Sequence, residues 1–275
     1  MAGISRLPRM GKWYDIPAMT SDISALHISK SPDAQVVDLG SGCIRLEIPA
    51  RSKRGYRIAQ LDDHRMGRRR DFRWKPPLTM SLQARVSTQD LPGTWGFGFW
   101  NDPFSFLLGS EGAINRFPTL PDAAWFFHAS PQNYLSFRND LPANGFLAAT
   151  FKSTRIPVLL LALVSPGLLL TLLPGTAQLV RKALRRVIQQ DATLIRTDET
   201  AWHTYNIVWD TDQVSFRLDG MEILRTMIAP HAPLSLVMWV DNQYAALPPR
   251  GGMRYGTLTN PQPAWLELRD FSIQQ

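Results

Sequence analysis

Residues 202–224 read WHTYNIVWDTDQVSFRLDGMEIL, and their periodicity decides the fold class. Tyr205, Ile207 and Trp209 alternate with Asn206 and Val208, after which Val214, Phe216 and Leu218 alternate with Ser215, Arg217 and Asp219. A period of two belongs to half-buried strands, whose successive side chains point to opposite faces. Residues 210–213 supply the turn between the two runs. Asp219-Gly220 supplies the next, because this pair takes up positive φ at little cost, and it starts a further short strand over 221–224. Outward from this block the same grain continues. Residues 36–39 and 44–48 flank Gly40-Ser41-Gly42 as a hairpin. Residues 56–61, 78–86, 134–138 and 146–152 read as further strands, with Leu78, Met80, Leu82, Ala84 and Val86 sharing one face. Residues 1–35 read as an irregular arm, and 251–256 as a loop.

A chain of 275 residues with 44% hydrophobic content can bury one large core, which predicts a single domain over 1–275. Twenty-one prolines, 18 glycines and nine tryptophans favour short strands and tight turns over a helical bundle. Cys43 is the one cysteine, so no intrachain disulfide can form. The first residues carry basic side chains but no apolar run of signal-peptide length. Together these predict a reducing, cytoplasmic setting, either free or peripheral to the membrane. The net charge of +7 and pI near 9.8 suit an anionic partner. The charge is clustered at Arg51, Lys53, Arg54 and Arg57, at 65–75, and at Arg181, Lys182, Arg185 and Arg186, although such runs are ordinarily solvated faces. No nucleic-acid module is legible and the aromatics do not interleave with the basic residues as an RNA-recognition sheet would require, so nucleic acid is not an expected partner. Five histidines without paired spacing and one cysteine predict no metal site, and no phosphate-cradling loop or dinucleotide fingerprint predicts a cofactor.

Five further blocks follow a consistent order: SLQARV at 81–86, GTWGFGFWNDP at 93–103, PDAAWFFH at 121–128, PLSLVMWVDNQY at 233–244 and WLELRDFSI at 265–273. With the 202–224 block, this order resembles the concanavalin A-like lectin/glucanase superfamily and, within it, glycoside hydrolase family 16. The resemblance implies an all-β jelly-roll sandwich of two antiparallel sheets with a cleft over one of them. It also implies a strand carrying the catalytic pattern E-x-D-x-E. Laid on this chain, the nucleophile position falls on Asp122, the middle Asp on Ala124 and the acid/base on Phe126 or, with one bulge, Phe127. No other E-x-D-x-E occurs in the sequence. A retaining double displacement needs two carboxylates on one face, so a working family 16 hydrolase is not expected.

Asp122 and His128 remain as candidate acid/base groups. Six residues of strand separate them by about 20 Å, so His128 requires a cross-strand partner, for which Asp102, Arg138 and Asp241 are candidates. The alternative is a hydrogen-bonded structural histidine. Trp95, Phe97 and Phe99 fall on one side of their strand, and Gly96, Gly98 and Trp100 on the other, where the glycines leave room for a ligand or a crossing backbone. Residues 124–127 make an apolar floor, suited to an apolar or amphiphilic small molecule unless it is filled core. Trp95, Trp100, Asn101, Asp102, Trp125, Phe127, Arg138, Trp239, Asp241, Asn242 and Tyr244 are the candidate ligand-lining residues. A glycan is the alternative ligand, with the tryptophans as stacking faces and the Asn and Asp residues as hydroxyl contacts.

Residues 154–196 read as an insertion. Residues 156–180 contain no charged residue, and Ser165-Pro166-Gly167 and Pro174-Gly175 break them into two short apolar arms. An amphipathic helix over 176–190 follows, with Val180, Ala183, Leu184, Val187 and Ile188 on one face and Arg181, Lys182, Arg185 and Arg186 on the other. A lid, a homodimer contact and a membrane-surface contact through 156–190 all fit this composition. The reading is a glycosidase-like scaffold that binds an apolar or amphiphilic ligand, with non-hydrolytic acid/base chemistry such as cyclisation or isomerisation open to it. A carbohydrate-binding module and a membrane-surface protein are the alternatives.

Overall fold

The computed structural model describes residues 23, 26–53, 55–63, 68–103, 119–156 and 173–275. Their elements run β1 (His27–Lys30), β2 (Gln35–Gly40), β3 (Cys43–Ile48), β4 (Ile58–Asp62), β5 (Leu78–Val86), β6 (Thr94–Trp100), β7 (Ala123–Ala129) and β8 (Gly145–Ser153). Helix α1 (Pro174–Val187) follows, and then β9 (Ile188–Leu194), β10 (His203–Trp209), β11 (Val214–Leu218) and β12 (Met221–Thr226). The chain closes with β13 (Ser235–Asp241), β14 (Gln243–Ala246), β15 (Arg254–Thr257) and β16 (Ala264–Gln274). Two seven-stranded sheets face each other, one in the order β12-β11-β10-β5-β16-β3-β2 and the other β1-β4-β13-β6-β7-β8-β9. We call them the first and second sheet. All pairings within them are antiparallel, which makes the fold an all-β jelly-roll sandwich.

The alternation in 202–224 sets the first sheet. β10 pairs with β11 on one side, Tyr205 opposite Leu218, and with β5 on the other, Tyr205 opposite Leu82. The turn at Asp219 and Gly220 takes φ of 49° and 80°, as an Asp-Gly pair allows. Tyr205, Ile207, Trp209 and Phe216 thereby point between the sheets. Trp95, Phe97, Phe99 and Phe126 meet them from the second sheet, with Phe97 and Phe126 about 5 Å from the Tyr205 ring in edge-on contact. This intersheet layer is the main core.

Several local expectations change. The irregular arm contains β1, an edge strand on β4. Residues 134–138 form no strand; Tyr134 makes one isolated bridge to Ala246. Part of the 251–256 loop is β15, paired with β14. The helix stops at Val187, because from Ile188 the sequence IQQDATL has the period of a strand, burying Ile188, Gln190 and Ala192 in turn. β9 lies on β8, with Ile188 opposite Ser153 and Leu194 opposite Leu147, so the end of the supposed insertion is the edge strand of the second sheet. The two apolar arms lie outside the described residues between 157 and 172. No helix among the described residues is long and apolar enough to cross a membrane.

The basic face of α1 is also divided. Arg181 is 4% exposed beside Ala177, and the helix rests on that side. Its guanidinium donates to the carbonyls of Ser136, Leu247 and Arg138 and to Asn139 Oδ1, and it lies 5.1 Å over the Tyr134 ring. Four acceptors and an aromatic face make burial of this charge tolerable without a carboxylate. Burial still pulls its pKa below the usual arginine range.

Candidate functional site

Each strand of a two-layer sandwich shows one face to the other sheet and one outward. In β7, Ala124, Phe126 and His128 face the intersheet core, whereas Ala123, Trp125, Phe127 and Ala129 form a second apolar cluster on the outside. The catalytic frame laid through Asp122, Ala124 and Phe126 therefore runs along the core face, and of residues 124–127 only Trp125 and Phe127 belong to an outward floor. Trp100 from β6, Trp239 from β13 and Phe151 from β8 join that floor. Trp100 and Trp239 stack at 6.5 Å with an interplanar angle of 8°, and Trp125 lies 5.5 Å from Trp239 and 6.1 Å from Trp100. Leu184 and Val187 of α1 and Ile188 and Ala192 of β9 border the cluster.

Gly96 and Gly98 make the close packing of these rings possible. A Cβ at Gly96 would stand 2.5 Å from the Phe126 carbonyl oxygen and 2.8 Å from the Trp239 ring, and one at Gly98 would stand 2.5 Å from the Ala124 carbonyl oxygen. The space the glycines leave is thus filled by Trp239 and the β7 backbone, not held open for a ligand. Trp100 and Trp125 are only 8% and 9% exposed. The Trp125 indole N–H is buried without a hydrogen-bond partner among the described residues, a condition it shares with Trp95 and Trp209 of the intersheet core.

Beneath the rings runs a polar chain. Trp239 Nε1 donates to Thr94 Oγ1 at 2.9 Å, and Thr94 Oγ1 donates to Asp241 Oδ1 at 2.9 Å. The same oxygen accepts the backbone N–H groups of Thr94 and Gln243. Burial outweighs these donors and raises the Asp241 carboxyl to about 7. The nearby Tyr56 hydroxyl is buried without a hydrogen-bond partner among the described residues, and burial followed by the Asp241 charge pushes its pKa well up.

The other expected site residues are dispersed. Trp95 is core and stacks on His128 at 5.8 Å. His128 Nδ1 faces Glu199 Oε2 at 3.5 Å, not Asp102, Arg138 or Asp241, and does not meet Asp122. Asp122 instead holds His231: its Oδ1 accepts the His231 backbone N–H at 2.9 Å, lies 3.1 Å from Nδ1 and accepts the Ser153 N–H at 3.3 Å. Burial raises the Asp122 carboxyl, with the His231 contacts opposing. A carboxylate on Nδ1 directs the imidazole Nε2 elsewhere, the arrangement of an oriented base. Asn101 donates to the Leu120 carbonyl and accepts from Asp122 N–H, and Arg69 donates to the Asn101 and Asp102 carbonyls. Asn242 is spent on Arg57, Gly55 and Leu258. Tyr244 packs over Gly256 in the β14–β15 hairpin, and Arg138 pairs with Asp140. Among the described residues no cluster of His, Cys, Asp or Glu could hold a metal ion.

Sequence reasoning missed His231, Glu199, Thr94 and Arg181. The Asp122–His231 contact spans 109 residues, and no local motif carries it. Arg181 had one signal, its i+4 spacing from Ala177, since both then share the helix face that Leu184 continues.

No family model and no curated protein matches this sequence. Solved structures do. The catalytic domain of an endo-1,3-beta-glucanase (laminarinase) from Thermotoga petrophila is 11% identical at a TM-score of 0.44, covering 95% of this chain and 98% of that one. A glycoside hydrolase family 16 endo-glucanase from Bacteroides ovatus is 8% identical at 0.45, covering 89% and 85%. A sialidase is 12% identical at 0.44, with 92% of this chain covered but only 17% of the sialidase. With every one of these TM-scores below 0.5, the sandwich assignment rests on the strand pairing of this chain itself.

Proposed function

We propose that this protein is a binding module that holds an apolar or amphiphilic small molecule on the aromatic outer face of its second sheet. The observation that carries this reading is the contiguous group Trp100, Trp125 and Trp239 on a face that an antiparallel sandwich ordinarily gives to water. A buried Trp125 N–H without a partner among the described residues suits a ligand that brings one acceptor oxygen with its apolar body. A hydrated sugar needs many directed hydroxyl contacts, and Asn101, Asn242 and Arg138 are already committed within the protein. The Asp122–His231 pair supports acid/base chemistry at a separate place, and binding requires none of it.

Native mass spectrometry followed by organic extraction tests the reading. A stoichiometric apolar or amphiphilic molecule is expected from the wild type and not from Trp125→Ala or Trp239→Ala. An empty protein whose tryptophan emission ignores both a long-chain fatty acid and 1,3-glucan oligosaccharides overturns it, and the face is then sealed core. A response to the oligosaccharides alone transfers the face to glycan binding.

A further inference from the structure

A cleft of about 630 Å³ lies at the free edge of the second sheet, between the 138–140 loop, the end of α1 and β9. Three amides line it, Asn139, Gln189 and Gln190; Gln189 is exposed, and the character of the cleft follows from where the other two are anchored. Gln190 on β9 is 2% exposed, and its Oε1 accepts the Phe137 N–H at 3.0 Å. That fixes the amide and leaves Nε2 as a donor with no partner among the described residues. Asn139 is fixed in the same sense, because its Oδ1 accepts from the buried Arg181 at 2.9 Å. Its Nδ2 is therefore the end left over. Both oxygens are consumed from inside, so these two amides turn N–H groups to the cleft.

The charges agree with the amides. Arg185, in the last turn of α1, lines the cleft and makes no ion pair among the described residues. Arg138 is paired with Asp140 through Nε at 3.0 Å and through Nη2, so the one lining carboxylate is already occupied. Two guanidinium groups against one carboxylate leave a net positive cleft. Ile188 and Ile228 add an apolar wall.

We propose that this cleft binds a small anionic ligand through an oxyanion group, a phosphate, sulfate or carboxylate, with its organic part against Ile188 and Ile228. The guanidinium of Arg185 supplies charge, and the Gln190 and Asn139 amides supply directed hydrogen bonds to the oxygens. This site adjoins the aromatic face at Ile188, but neither reading depends on the other.

Calorimetric titration of the full chain with inorganic phosphate, inorganic sulfate and glucuronate tests it, with side-chain amide NMR to locate binding. At least one of the three anions is expected to bind saturably with a dissociation constant of about 1 mM or tighter. The side-chain amide signals of Gln190 and Asn139 are expected to shift on the same curve. Arg185→Glu and the near-isosteric Gln190→Glu, which keeps the oxygen and replaces the donor by a carboxylate oxygen, should each weaken binding roughly tenfold or more. Lys182→Glu makes the same charge change on an exposed position of α1 outside the lining and should leave binding unaltered. Which of the three binds names the group. No saturable binding by any of them overturns the proposal, as does an equal loss in Lys182→Glu and Arg185→Glu, or binding that leaves both amides unmoved.

Discussion

Tryptophan lies on the outside of both sheets, in opposite company. On the first sheet, Arg45 sits 4.8 Å over Trp265, Arg85 4.8 Å over Trp202 and Arg269 4.1 Å over Trp202, an alternating ladder of guanidinium and indole. Glu267 lies beneath it at 1% exposure, held by Arg45 and Arg85, and Gln83 and Asn206 continue the polar surface. On the second sheet, Trp125 and Trp239 meet each other and Trp100, and no guanidinium among the described residues stacks on either. Its buried carboxyl, Asp241, accepts only neutral donors. The first face is built to stay in water, with cations masking each ring. The second forgoes water around its tryptophans, and the acid beneath them becomes a weak one. Arginine and aromatic residues thus interleave in space although they do not along the chain, because neighbouring rungs come from different strands.

The sharpest test of that contrast removes one ring from each face. Trp125→Ala is expected to cost about 3 to 5 kcal/mol, the range for truncating a buried large aromatic. Trp202→Ala, on the half-solvated ladder, is expected to cost about 1 kcal/mol, the worth of its cation–π contacts. Equal losses in urea unfolding would erase the distinction between a dry face and a wet one.

A comparable effect is expected from pH. Asp241 titrates near 3.8 when unfolded and at about 7 in the fold, so between those values the folded state binds more protons. The contribution of Asp241 to stability must then fall as pH rises from about 4 to about 7 and level off above, with a drop of roughly 4 kcal/mol. Asp241→Asn keeps an oxygen for Thr94 and Gln243 but has no charge to bury. It should flatten this slope and unfold at higher urea than wild type at pH 8. A variant that unfolds earlier at pH 8 would mean that the carboxylate, and not the acid, is what the fold prefers.

How much of this was legible follows from the range of each interaction. The alternation in 202–224, the glycine hairpin and the shared face of Trp95, Phe97 and Phe99 were readable, because period two is a local property of backbone geometry; that this face is the core, which makes Trp95 no ligand contact, was not. Which side of β7 faces out was not, because a strand apolar on both faces carries no alternation to orient it. Ala123 to Ala129 are buried throughout. The tryptophans Trp100, Trp125 and Trp239 were all named, yet their meeting over Gly96 depends on the register of three strands. Polar site residues fared worst. Asn101, Asn242 and Arg138 read as contacts for a ligand and proved to be fasteners, since a sequence shows that an amide is present but not what already holds it.

Arg181 makes the same point on α1 and can be tested next. Arg181→Met keeps much of the apolar stem but leaves the carbonyls of Ser136 and Leu247 without this donor. A loss of about 2 kcal/mol is expected, with protection from hydrogen exchange falling first in α1 and the 136–139 loop. Lys182→Met, exposed one position on, should change stability by no more than about 0.5 kcal/mol.

The smallest expected effect belongs to Glu267, and its sign is the informative part. Burial raises its pKa, but hydrogen bonds from Arg45 and then Arg85 outweigh burial and hold the carboxyl below its ordinary 4.5. Below 4.5 the unfolded chain therefore takes up protons more readily than the fold, and the contribution of Glu267 is present above that pH and lost as pH falls. This is the reverse of Asp241. Glu267→Gln should cost about 1 to 2 kcal/mol at pH 7, where a charge-assisted bond to each arginine weakens, and should flatten the acid limb of the stability curve. Asp241→Asn should leave that limb in place and remove the decline between pH 4 and 7. The two carboxyls sit in opposite sheets of one sandwich, so a double variant whose pH profile equals the sum of the two single profiles would show that each sheet sets its own electrostatics.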